Sequence, residues 1–175
     1  QIASLIMGNG ESSRLRARIK SIDPQLKRAI GIDGGVQAQL REENGMWMML
    51  GAFINPADVD LLERAMFDEV TRLASKPPTD NELRQAKNQI QASVTFSLEN
   101  ATGMAEQIGR SWILTGDASA FMRDVGALEK VSAADVVRVT KKYLTAERAT
   151  VLVIPPKSAT LEAAPAAPAA PGVSK

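Results

Sequence analysis

Lys27-Arg28-Ala29-Ile30-Gly31-Ile32-Asp33-Gly34-Gly35-Val36-Gln37-Ala38-Gln39-Leu40 and Gly45-Met46-Trp47-Met48-Met49-Leu50-Gly51-Ala52-Phe53-Ile54 flank the polar stretch Arg41-Glu42-Glu43-Asn44. The first stretch alternates, with Ala29, Ile30 and Ile32, then Gly34-Gly35, then Val36, Ala38 and Leu40; the second is a short apolar run. Asn44-Gly45 between them is a hairpin signal, so the two stretches read as antiparallel strands. A third strand is expected from Arg148 to Ile154, a β-branched run closed by Pro155-Pro156.

Outward from the hairpin the periodicity becomes helical. Asn55-Pro56-Ala57-Asp58 is a start signal, and Val59, Leu62, Met66, Val70 and Leu73 follow at spacings of three and four until Lys76-Pro77-Pro78. Thr79-Asp80-Asn81-Glu82 is a capping box, with Leu83, Ala86, Ile90 and Val94 as the stripe behind it. Asn100 to Gly103 is expected to interrupt or kink that helix. A further helix carries Met104, Ile108, Trp112 and Ile113 up to Thr115-Gly116; Asp117 is expected to cap a short one to Lys130; Ser132-Ala133-Ala134-Asp135 caps another with Val136, Val139, Thr140 and Tyr143. Few strands among many helices predict an α+β fold, a two-layer sandwich of mainly antiparallel sheet with helices on one face. Gln1 to Met7 reads as the end of a helix already under way, and a narrow sheet under so many helices implies a missing first strand upstream. The folded domain is expected over residues 1–155. Residues 156–175, dominated by Ala-Ala-Pro repeats with little to bury, are expected to be a disordered tail.

The 175 residues carry a net charge of +1, with 45% hydrophobic and 23% charged residues, which is globular composition without the charge excess of a nucleic-acid binder. No stretch has the roughly 18 apolar residues of a membrane span. The chain contains no His and no Cys, so it has no imidazole base, no thiolate nucleophile and no ordinary zinc ligand set.

Gly8-Asn9-Gly10-Glu11-Ser12-Ser13 fails as a phosphate loop, because no strand precedes it and no Gly-Lys-Ser/Thr follows. It reads as a helix end, with Gly8 and Gly10 left-handed and Ser12 or Ser13 capping the next helix. The acid pairs Glu42-Glu43, Asp58 with Asp60, and Asp68-Glu69 point apart and make no dyad. Met46, Met48, Met49 and Trp47 alternate between the strand's faces, so core packing is the default. Lys27 and Arg28, at the start of the first strand, are the candidate binding residues, with solvated surface as the alternative. No catalytic or metal-binding residue emerges.

The order of motifs adds a resemblance. Gly8-Asn9-Gly10-Glu11-Ser12-Ser13-Arg14-Leu15 resembles the Gly-Gly-x-x-Ser-Ser-Arg-Leu turn of the insulinase-like M16 zinc peptidases. Thr79-x-x-Glu82-Leu83-x-x-Ala86-Lys87-Asn88, then Ser97-Leu98-Glu99 with Ala105-x-Gln107-x-Gly109, and finally Val131 to Val136 with Arg148-Ala149-Thr150-Val151, are similar to further segments of that family in the same order. The resemblance implies repeated α+β domains paired into two halves that close over an unfolded polypeptide, with zinc on a His-x-x-Glu-His helix of another domain or subunit. A chain without His then corresponds to a C-terminal, non-zinc domain, with no cofactor of its own and a zinc-bearing domain and a polypeptide substrate as partners. The family's substrate-orienting Arg and Tyr are absent: Lys20 stands near the Arg place and the only Tyr is Tyr143. The resemblance to bacterial members implies a periplasmic location, with the cytoplasm as alternative. A scaffold of the same fold without a protease role is the rival function. For the fragment, either self-association through an unpaired sheet edge or protection of that edge by bent and charged residues is expected.

Overall fold

The computed structural model describes residues 1–10, 13–24, 26–39 and 45–155. The Arg41–Asn44 turn, the acids Glu42 and Glu43, Ser12 and the Ala/Pro-rich tail lie outside the described residues.

The elements run α1 (Ile2–Gly8), α2 (Arg14–Lys20), β1 (Ile22–Asp23), β2 (Arg28–Ala29), β3 (Asp33–Gln39), β4 (Met46–Ala52), α3 (Val59–Ser75), α4 (Asp80–Ser97), α5 (Ala101–Thr115), α6 (Ala120–Glu129) and α7 (Ala133–Tyr143). The fold is α+β, and β3 and β4 form the antiparallel hairpin expected from their sequence, with Val36 opposite Met49 and Ala38 opposite Trp47. The single strand read from Lys27 to Leu40 is broken in two. Asp23 accepts the Leu26 amide on its side chain and the Lys27 amide on its carbonyl, which closes a tight turn between β1 and β2. Gly31 then sits where α2 meets the end of β4: its amide donates to the Ile19 carbonyl, and a Cβ there would lie 2.6 Å from the Ala52 carbonyl oxygen.

Three further readings are corrected. Asp117 does not cap α6: Ser119 is the N-cap residue, and Asp117 Oδ1, two residues earlier, accepts the Ser119 amide and hydroxyl. Residues 149–155 are in no ladder among the described residues; β-branched composition favours a strand only when a neighbouring strand is there to pair with it. Gly8 is the last residue of α1 and is not left-handed, unlike Gly10 at φ 84°. Gly8 is needed instead for close approach, because a Cβ there would overlap the backbone and side chain of Val36 in β3.

The core gathers on α1, which buries Ile2, Ala3, Ile6 and Met7 between the hairpin and the helices. Leu15 and Ile19 of α2, Leu62, Ala65, Val70 and Leu73 of α3, Ala86 of α4 and Val136 of α7 complete it, with Trp47 and Met49 closing it from β4. The stripes read on α3 and α4 are therefore the faces that pack inward. On α5 the reverse holds. Met104, Ile108, Trp112 and Ile113 are exposed, and Ser111 is the buried residue. The inward face of α5 is small and polar: the Gln107 amide donates to Ser97 Oγ (3.1 Å), the Phe121 amide donates to Ser111 Oγ (3.1 Å), and a Cβ on Gly103 would overlap the Ser97 carbonyl. Close approach and hydrogen bonds, not an apolar stripe, hold α5 to its neighbours.

Candidate functional site

Three groups of side chains merit a chemical reading. The first joins segments far apart in sequence. Arg14, opening α2, donates from Nε to Glu82 Oε1 (2.6 Å) and from Nη2 to Glu82 Oε2 (2.9 Å). Its Nη1 also reaches the Lys76 carbonyl at 3.3 Å, so it ties down the α3–α4 connection. Glu82 is the N3 residue of the α4 capping box: it accepts the Thr79 amide (2.8 Å), and Thr79 Oγ1 accepts the Glu82 amide (3.3 Å). The Arg14 hydrogen bond, seconded by those from Thr79, pulls the Glu82 carboxyl down to about 2. Such a paired, hydrogen-bonded carboxylate cannot act as a base near neutral pH. The pair is architectural.

The second group holds the sequence candidates. Lys27 is the last residue of the β1–β2 turn, exposed and left-handed at φ 54°, a conformation that a residue with a side chain adopts at a cost. Arg28 is not a free cation: it chelates Asp58, with Nη1 at 2.5 Å from Oδ2 and Nη2 at 2.9 Å from Oδ1. This pair holds the Asp58 carboxyl below its ordinary value. It anchors the small hairpin to the start of α3, where Asn55 Oδ1 accepts the Ala57 amide. The acid pairs do separate: Asp58 is buried against Arg28 while Asp60 is exposed, and Glu69 is buried with Arg72 while Asp68 is exposed. Among the described residues no three His, Cys, Asp or Glu gather to hold a metal. With no His and no Cys in the chain, the residues present do not fit zinc.

The third group is the outer face of the β3–β4 hairpin. Alternation turns Trp47 and Met49 to the core and Met46, Met48 and Leu50 to the opposite face, where their partners are Gln39, Gln37 and Gly35. Leu50 is 52% exposed and Met46 42%. The methionines therefore divide between core and open surface, so core packing accounts for only one side of the strand.

Residues 1–90 match the family described as the peptidase M16 inactive domain. The chain belongs to that family. Its sequence is similar to the mitochondrial-processing peptidase subunit beta of Lentinula edodes, 32% identical over 102 residues that cover 58% of this chain and 22% of that protein. The chain thus spans about a fifth of the length of the curated relatives it matches. Its fold is like that of the inactive peptidase domain of a candidate zinc protease from Bordetella parapertussis, with a TM-score of 0.73 at 18% identity over 91% of this chain and 84% of that one. It is also like the periplasmic protease PqqL of Escherichia coli, with a TM-score of 0.61 at 17% identity over 82% of this chain and 15% of that one.

Membership gives the first group its meaning. The Ser-Arg-Leu and Thr-x-x-Glu-Leu segments, read as separate M16 signatures, are two ends of one ion pair: Arg14 supplies the guanidinium, Glu82 the carboxylate, and Leu15 and Leu83 pack into or against the same core. Sequence reasoning located both segments but not their contact. Asp58 as the partner of Arg28 was likewise not legible, because the two residues stand 30 positions apart and meet only in the fold.

Proposed function

We propose that this M16 domain is a non-catalytic wall of a zinc metallopeptidase, enclosing and binding an unfolded polypeptide while another domain or subunit holds the zinc. The observation that carries this reading is the match of residues 1–90 to the inactive M16 domain in a chain without His or Cys. The open face of the hairpin supports it. Met46 and Met48 are flexible and polarisable, and adapt to side chains of varied shape. Gln37 and Gln39 lie on the same face and offer donors and acceptors to a peptide backbone. The edges of β3 and β4, which pair with no third strand among the described residues, suit an extended segment.

Lys27 and Arg28 belong to this reading as charges that meet acidic groups or the terminal carboxylate of the polypeptide. Lys27 has the better claim, since Arg28 is engaged with Asp58. A periplasmic location is part of the proposal, supported by the likeness in fold to a periplasmic protease.

The test is fluorescence anisotropy of a labelled unfolded peptide, titrated with the assembled peptidase. Met48→Lys with Leu50→Lys should weaken binding several-fold while the zinc content stays the same, and Lys27→Ala should weaken binding of acidic peptides selectively. Peptide affinity unchanged in the first pair would overturn the role of this face.

A further inference from the structure

The apolar residues of α5 stand on the outside of the molecule. Trp112 is 62% exposed and Ile113 67%, and Met104 and Ile108 on the same half of the helix are open too. Between them stand the small residues Ala105 and Gly109, while the charges Glu106 and Arg110 lie at the margin of that half. Gly109 sits one turn before Trp112 and Ile113, so it neighbours both. A mid-helix glycine destabilises a helix relative to alanine, and the fold does not call for this one. Its φ is not left-handed, and a Cβ there would meet nothing within 4 Å. Gly8 and Gly103, by contrast, each hold a close contact that a Cβ would destroy. α6, packed against α5, repeats the pattern: Met122 is 67% exposed, and a Cβ on Gly126, one turn on, would meet nothing either.

We propose that this side of α5, extended by Met122 and Gly126 of α6, is where the zinc-bearing M16 domain or subunit docks. The inference rests on the reading of this chain as one wall of a peptidase. A wall whose hairpin face meets the polypeptide must be fastened to the zinc-bearing part through another surface. An uncharged apolar surface with charges at its margin and an exposed tryptophan in it has the make-up of a protein interface. α5 and α6 pack chiefly on α4 and on each other, so a further strand beside the hairpin would extend the sheet without covering them. The curated relatives extend far beyond the part this chain matches, by more than a second domain needs. Gly109 then has a purpose: without a side chain, it lets an apolar element of the partner come close to the backbone of α5, flanked by Trp112 and Ile113. Glu106 and Arg110 form the polar rim.

Hydroxyl-radical footprinting read by mass spectrometry, on this chain alone and on the assembled peptidase, tests the proposal. Trp112 and Met122 should be labelled freely in the chain alone and several-fold less in the assembly. Gly109→Leu should keep or raise the melting midpoint of the chain alone, since leucine is the better helix former and its Cβ meets nothing there. In the assembly the same variant should return Trp112 to the labelling of the chain alone. Ile113→Glu, at an exposed position, should do the same without lowering the midpoint of the chain alone. Trp112 equally reactive in both states, or still shielded in an assembly carrying either variant, would overturn the proposal and leave the wall reading standing. Trp112 already shielded in the chain alone would assign the surface to a second copy and overturn the proposal as well. Components that do not assemble at all would overturn both readings.

Discussion

Replacing Glu82 by Gln separates the charge of the Arg14–Glu82 pair from its geometry. Gln at N3 still serves a capping box, so the variant keeps the helix start and removes the carboxylate. In the folded chain the carboxyl is pulled from 4.5 to about 2, which at 1.36 kcal/mol per pH unit is roughly 3 kcal/mol. Glu82 is 28% exposed and Arg14 14%, so solvent screening leaves about 2 kcal/mol. The sign follows from the lowered value. Between about pH 2 and pH 4.5 the unfolded chain binds the proton that the folded chain refuses, so acid favours unfolding in that window. The pair's contribution is therefore whole above about pH 4.5 and is lost as the pH falls through 2. Urea unfolding followed by circular dichroism, run on both proteins at several pH values, measures the difference directly. Wild type should exceed Glu82→Gln by about 2 kcal/mol at neutral pH, and the gap should close toward about pH 2. A gap that is constant through the acid range, or smaller than about 0.5 kcal/mol at neutral pH as for an ordinary surface change, would refute the reasoning.

Gly8→Ala forces a methyl group into the Val36 backbone and should cost about 3 kcal/mol or more in chemical denaturation, since neither partner is a flexible chain end. Gly103→Ala meets the Ser97 carbonyl; we expect a loss of about 1–3 kcal/mol, with faster amide exchange across α5 and α6 than in the core around α1. Arg28→Ala leaves the buried Asp58 without its partner and should lower the melting midpoint, whereas Lys27→Gly, by relieving the left-handed turn, should leave it unchanged or raise it. Elemental analysis of the purified chain should find no stoichiometric zinc, and a one-to-one ratio would contradict the absence of nitrogen and sulfur ligands.

Local chemistry was the most legible part of this chain. The Thr79 and Ser132 capping boxes form as their spacing requires. Asn100 caps α5 through the Gly103 amide, and Gly116 ends that helix at φ 70°. These features depend on residues within one turn of each other. What depends on distant partners was harder to read. The apolar residues of α5 look like a buried stripe until Ser97, Gln107 and Ser111 are seen to take the inner face. The segment 149–154 reads as a strand because its composition is one, although pairing requires a neighbour that composition does not supply. Arg28 looks like a binding residue because a cation at an element end is often one, and only the folded chain brings Asp58 to it. The Arg14–Glu82 contact lay between the two halves of a motif pattern already visible, but spacing along the chain carries no information about which side chains touch.

The central claim is that this M16 domain contributes a wall, and no chemistry of its own, to a peptidase whose zinc lies elsewhere. Cleavage of a fluorogenic unfolded peptide, measured for this chain alone, for the zinc-bearing M16 domain or subunit of the same protein alone, and for the two together, tests it most directly. The account predicts chelator-sensitive cleavage by the combination and none by this chain alone, with the zinc-bearing partner alone far slower than the pair. Cleavage by this chain alone, or a zinc-bearing partner that is equally fast without it, would contradict the account.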